Sequence, residues 1–136
     1  LVPETVDMGY HLCYGSPRDE HLVQPKDMGI LVEISNGLIA GLNRRLDFLH
    51  LPVPKDRTDA AYFQPLKGLQ VDTGTEIYLG LIHFDDLSGD AQRIATAKQF
   101  IPEFGVATEC GWGRTEPTRV EGLLESHSAA VQSLGG

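Results

Sequence analysis

The chain has 136 residues, 41% of them hydrophobic, and a net charge of −8 with a pI near 4.9. That composition supplies one ordinary domain core, and an acidic balance without a Lys/Arg cluster excludes nucleic-acid binding through phosphate contacts. No apolar run reaches the ~18 residues of a membrane span, so no membrane partner is expected.

Leu1-Val2-Pro3-Glu4 has neither the basic start nor the apolar stretch of a secretory signal. The chain lacks an initiator Met, which reads as a fragment or a processed product. Its two cysteines, Cys13 and Cys110, lie near opposite ends. They are too few for the framework of a small secreted domain. They read as a reduced, functional pair in a cytoplasmic protein, with one long-range disulfide as the alternative.

Tyr10 to Tyr14, set between Gly9 and Gly15, is too short for a helix and reads as a strand. Ser16 to Gln24 is a polar loop. Pro25 then opens a helix, since Pro in the first turn costs nothing. Met28, Leu31, Leu38, Ile39 and Leu42 recur at helical spacing up to Arg44-Arg45, a basic end that suits the helix dipole. Ile30 to Ile34 is also a fair β-run, but parallel strands need a long, usually helical crossover, which favours the helix.

Leu46 to Val53 is the second strand, stopped by Pro52 and Pro54. The polar connection that follows, as far as Thr75, is long enough to be functional, with a turn of helix at Ala60 to Gln64. Glu76 to His83 is almost wholly apolar, as a strand buried on both faces should be. Ser88-Gly89-Asp90 can cap a helix to about Ile101. Phe104 to Cys110 is the fourth strand, and Gly111 to Thr115 turns the chain. Pro117 begins a last helix striped by Val120, Leu123, Leu124, His127 and Val131. Strands alternating with helices imply a right-handed parallel sheet, either a small open α/β sheet or half of an eight-stranded barrel.

The reactive side chains gather at the strand ends, where a parallel barrel keeps its active site. His11 and Cys13, two apart on a strand, share a face, and Cys110 arrives from the last strand. Two thiolates, an imidazole and one further ligand make a good zinc site; the plainer reading is that both cysteines are small core residues. His83 ends an apolar strand before Asp85-Asp86 and reads as a proton donor with a carboxylate orienting its ring, or as a strand-end histidine bonded in a loop. His50 is an inward-pointing ligand or a satisfied core histidine. His21 and His127 carry little functional weight. Tyr62 and Phe63 roof a pocket or, more simply, pack. Asp56, Asp59, Asp85 and Asp86 read as solvated charges, and Arg114 as an anion contact or a surface residue.

His11-Leu12-Cys13-Tyr14, Ile82-His83 and Ala107-Thr108-Glu109-Cys110-Gly111 followed by Arg114 resemble the C-terminal catalytic barrel of cobalamin-independent methionine synthase. More broadly, the chain from about Met8 to Leu134 is similar to members of the uroporphyrinogen decarboxylase/methionine synthase-like superfamily. The resemblance implies a TIM-like (β/α)8 barrel, of which residues 1–136 form one partial domain, the C-terminal half with four parallel strands. It implies Zn2+ held by His11, Cys13 and Cys110, which keeps a homocysteine-type thiol as its thiolate. That thiolate attacks the methyl group of a methyltetrahydrofolate-type donor, with His83 as the acid.

The chain departs from the family in two respects. Pro52 stands where the family's remaining ligand, a glutamate, is expected, leaving His50 or Glu33 to replace it. The N-terminal half of the barrel is also missing, so the isolated chain is expected to be inactive and to self-associate or pair with such a half, since open sheet edges seek partners. The alternatives are a zinc-independent lyase or decarboxylase-like enzyme, and a non-catalytic module that binds a small molecule or a partner.

Overall fold

Four short strands form one parallel sheet in sequence order: β1 (Gly9–His11), β2 (Phe48–Pro52), β3 (Glu76–Ile82) and β4 (Gly105–Thr108). The structure, a computed structural model, describes residues 2–15, 21 and 23–135. Helix α1 (Gly29–Gly41) crosses from β1 to β2. Helix α2 (Ala60–Phe63) continues into a 3-10 turn (Gln64–Gly68) before β3, and α3 (Leu87–Ala97) precedes β4. Two 3-10 turns (Trp112–Arg114 and Pro117–Arg119) then lead into α4 (Val120–Leu134). Parallel strands that neighbour one another in chain order, alternating with helices, have the architecture of the C-terminal half of a TIM-like barrel, the class the sequence implies.

Strand periodicity decides what each face carries. Leu49, Leu51 and Val53 of the β2 segment, with Ile77, Leu79 and Leu81 of β3, are buried on one side and pack with Leu31 and Val32 of α1 and Ile94 and Ala97 of α3. Fully burying an aliphatic side chain contributes roughly 1.5–3 kcal/mol, so this layer dominates the stability. The opposite face carries His11, His50 and Tyr78, and the parallel register sets the three side by side: His11 opposite His50, His50 opposite Tyr78.

α1 forms where the β-run competed with it. Its buried face is Leu31, Val32 and Ser35, while Ile30 and Ile34 lie at the surface, a helical pattern and not an alternating one. The helix stops at Gly41, short of Arg44-Arg45, because Leu42 is already extended. The two arginines instead pair with Asp47 at 2.8 and 3.0 Å, and Arg44 also donates to the Pro3 carbonyl at 2.6 Å.

Other boundaries also shift. The first strand ends at His11, although the Leu12 N–H still donates to the His50 carbonyl at 3.0 Å; Gly15, at φ 79°, turns the chain away. Cys13 and Cys110 therefore sit just beyond β1 and β4. Most of the expected loop, Ser16–Glu20 and Leu22, lies outside the described residues, as does the side chain of Arg114. α3 begins at Leu87 after Asp86, and Asp90 is not its cap. On α4 the buried face is Leu123, Ser126 and Ala130, while Leu124 and Val131 are about half exposed. The stripe is thus rotated from the one expected, because small residues, which hydrophobicity alone does not flag, pack against β3, β4 and α3.

A candidate metal centre beside a cavity

In a flat sheet, strands ~4.8 Å apart would leave β1 and β4 about 14 Å from each other. Here the segments beyond their ends bend together, and the Sγ atoms of Cys13 and Cys110 lie 3.2 Å apart. His11 Nε2 stands 3.8 Å from Cys110 Sγ. One ligand atom from each of His11, Cys13 and Cys110 falls within 4.8 Å of the other two. A tetrahedral zinc ion, with Zn–S ≈ 2.3 Å and Zn–N ≈ 2.0–2.1 Å, spaces its ligands about 3.5–3.8 Å apart. The three side chains fit a metal ion of that kind, and a Cys2His set leaves a fourth position for something else.

Glycine makes the approach of β4 possible. A Cβ on Gly80 would lie 2.7 Å from the Glu109 Cα and 3.0 Å from both the Glu109 nitrogen and the Thr108 carbonyl oxygen. The β3–β4 register slips in this region, between Leu79 and Ile82. The backbone that delivers Cys110 therefore rests directly on a position without a side chain. Beyond it, the Trp112 indole N–H donates to Thr108 Oγ1 at 2.9 Å, and its ring meets His127 of α4 edge-on.

His50 stands behind His11. Their Nδ1 atoms are 2.9 Å apart, with ring centroids 4.5 Å apart, and His50 Nε2 donates to the Thr108 carbonyl at 2.9 Å. Burial holds both imidazoles below the usual histidine range. At His50 the neighbouring ring adds to that effect, and the Thr108 bond works against it. His50 is not among the three side chains brought together at the centre. Glu33 lies on the exposed side of α1.

Cys110 also lines a cavity of about 940 Å³ whose wall includes His21, Lys55, His83, Glu109 and Trp112. Burial pushes the Glu109 carboxyl up to about 8, against the opposing charge of Arg93. It meets His21 Nε2 at 2.9 Å. Burial also lowers His83 to about 4, helped by the charges of Arg93 and Lys55. The ring of His83 is oriented by the Val53 carbonyl, which accepts from Nε2 at 2.9 Å. None of the carboxylates that follow it in sequence takes that role.

The carboxylates work lower down. Arg93, fully buried, donates to the carbonyls of Leu81 and Lys55 and to Asp86 and Asp90. Asp90 Oδ1 also accepts the backbone N–H of His83 at 3.0 Å. Its Oδ2 is buried with no hydrogen-bond partner among the described residues. One guanidinium thus ties the ends of β2 and β3 to α3 beneath His83. Sequence reasoning passed over Arg93, although the i, i+3 spacing of Asp90 and Arg93 on a helix was a usable signal. Asp59, read as a solvated charge, caps α2 by accepting the Tyr62 N–H at 3.0 Å and pairs with Arg57. Tyr62 and Phe63 are wholly buried; the Tyr62 hydroxyl donates to the Pro52 carbonyl and meets the Tyr14 hydroxyl at 3.0 Å.

No helix among the described residues is long and apolar enough to cross a membrane. Comparison of the chain with protein-family models, with curated proteins and with solved structures found no match.

Proposed function

We propose that this chain is the C-terminal half of a zinc-dependent alkyl-transfer barrel, similar to cobalamin-independent methionine synthase, which moves a methyl group to a thiol. The observation that carries the reading is the convergence of His11, Cys13 and Cys110 beyond the C-terminal ends of β1 and β4, with Cys110 shared between that centre and the cavity. Zinc held there would supply positive charge that keeps a sulfur ligand deprotonated near neutral pH.

The remaining roles belong to the chain. The cavity takes the thiol and, beside it, a methyl donor of the methyltetrahydrofolate type. A sulfur–carbon bond forms as the donor's nitrogen–carbon bond breaks; the thiol has lost its proton and the leaving nitrogen gains one. His83, on the cavity wall and neutral near pH 7, is the relay we assign to that proton. With its Nε2–H held by the Val53 carbonyl, Nδ1 takes up the proton the thiol releases and hands it to the leaving nitrogen. Neither outer edge of the sheet, at β1 or β4, is paired among the described residues. That supports self-association or pairing with an N-terminal half, which would also complete the substrate site. Two thiols kept reduced to hold a metal would call for a reducing, cytoplasmic setting.

X-ray absorption at the zinc edge tests the thiol. Zinc-loaded protein should show two sulfurs and one nitrogen from the chain, rising to three sulfurs when homocysteine is added. Coordination indifferent to the thiol would refute transfer to sulfur at this site.

A further inference from the structure

We propose that His50 is a positioning residue that fixes the tautomer of His11, so that His11 presents a bare Nε2 to the metal. The inference rests on the zinc reading for its purpose, but its geometry stands without a metal. A carbonyl oxygen can only accept, so the 2.9 Å contact of His50 Nε2 with Thr108 requires the His50 proton to sit on Nε2. In a neutral imidazole the other nitrogen is then an acceptor. His50 Nδ1 faces His11 Nδ1 at 2.9 Å, so His11 must donate from Nδ1. That leaves His11 Nε2 as the lone-pair nitrogen, the atom 3.8 Å from Cys110 Sγ. The chain of donors runs from His11 through His50 to Thr108, two residues before Cys110.

The parallel register supplies the arrangement: His11 and His50 are direct partners across β1 and β2, with side chains on the same face. Simple ring packing would not set two nitrogens at hydrogen-bonding distance while a third bonds a carbonyl. Both His50 nitrogens are engaged, so His50 leaves the fourth metal position to a ligand from the cavity. Partners of this kind hold a ligating histidine in tautomer and orientation, and their loss typically costs 10–100-fold in metal affinity.

The test compares wild type with His50→Gln, whose amide keeps one acceptor and one donor, and His50→Leu, which keeps only bulk. Long-range proton–nitrogen correlation on metal-free, 15N-histidine-labelled protein reports the His11 tautomer, and competition with a chromophoric chelator reports zinc affinity. The expected result is a His11 protonated on Nδ1 in wild type and His50→Gln. In His50→Leu it should shift toward the Nε2-protonated form that free side chains favour, with zinc binding weakened about 10–100-fold. A wild-type His11 protonated on Nε2 overturns the proposal whether or not the leucine variant folds. So does an unchanged tautomer, or an unchanged zinc affinity, in a folded His50→Leu. A wild type with the expected tautomer but no zinc affinity refutes the metal reading and upholds the assignment of the tautomer to His50.

Discussion

A buried neutral imidazole makes a fold sensitive to acid, and His83 is such a group. In the unfolded chain it titrates near the ordinary value of 6.5, and in the native state near 4. Above pH 6.5 it is neutral in both states and costs nothing. As pH falls from about 6.5 to about 4, the unfolded chain takes up a proton that the native state refuses, so stability declines through that window and levels below it. The shift corresponds to about 3 kcal/mol. Urea unfolding of wild type and His83→Gln from pH 7 to pH 4 should show the stability difference moving by about that amount against the wild type. A difference that does not change with pH would show that His83 is solvated and not buried neutral.

The elements place the centre through backbone contact as much as through side chains. Gly80 in β3 supports the Thr108–Glu109 backbone that delivers Cys110. Gly80→Ala should therefore do two things together: destabilise by about 1–3 kcal/mol, the usual effect of overpacking, and weaken zinc binding by displacing Cys110. Denaturant unfolding beside a zinc competition assay measures both, and an alanine variant with native zinc affinity would show that the β4 approach is not what sets the site. Much of this element-scale picture was legible beforehand. The apolar runs of Leu46–Val53 and Glu76–His83 marked central strands, and the need for a crossover decided α1 against its own β-propensity. What could not be read was set by tertiary contact: the end of β1 at His11, the small-residue face of α4, and the burial of Arg93 under His83. The pairing of His11 with His50 was hidden for the same reason, since strand register follows from the folded sheet and not from local spacing.

At the scale of the whole molecule, four parallel strands bring residues almost a hundred positions apart, Cys13 and Cys110, within 3.2 Å of each other. The order β1-β2-β3-β4 puts their strands on opposite edges of the sheet, so a metal ion bridging them would close the open half-barrel across its top. Such a site binds only when the sheet is folded, which couples zinc to stability. The most direct test is zinc per chain in protein purified without chelator, for wild type, Cys13→Ser and Cys110→Ser. The account predicts close to one zinc in the wild type and its loss in both variants. A folded wild type that takes up no zinc, even when zinc is added, would contradict it.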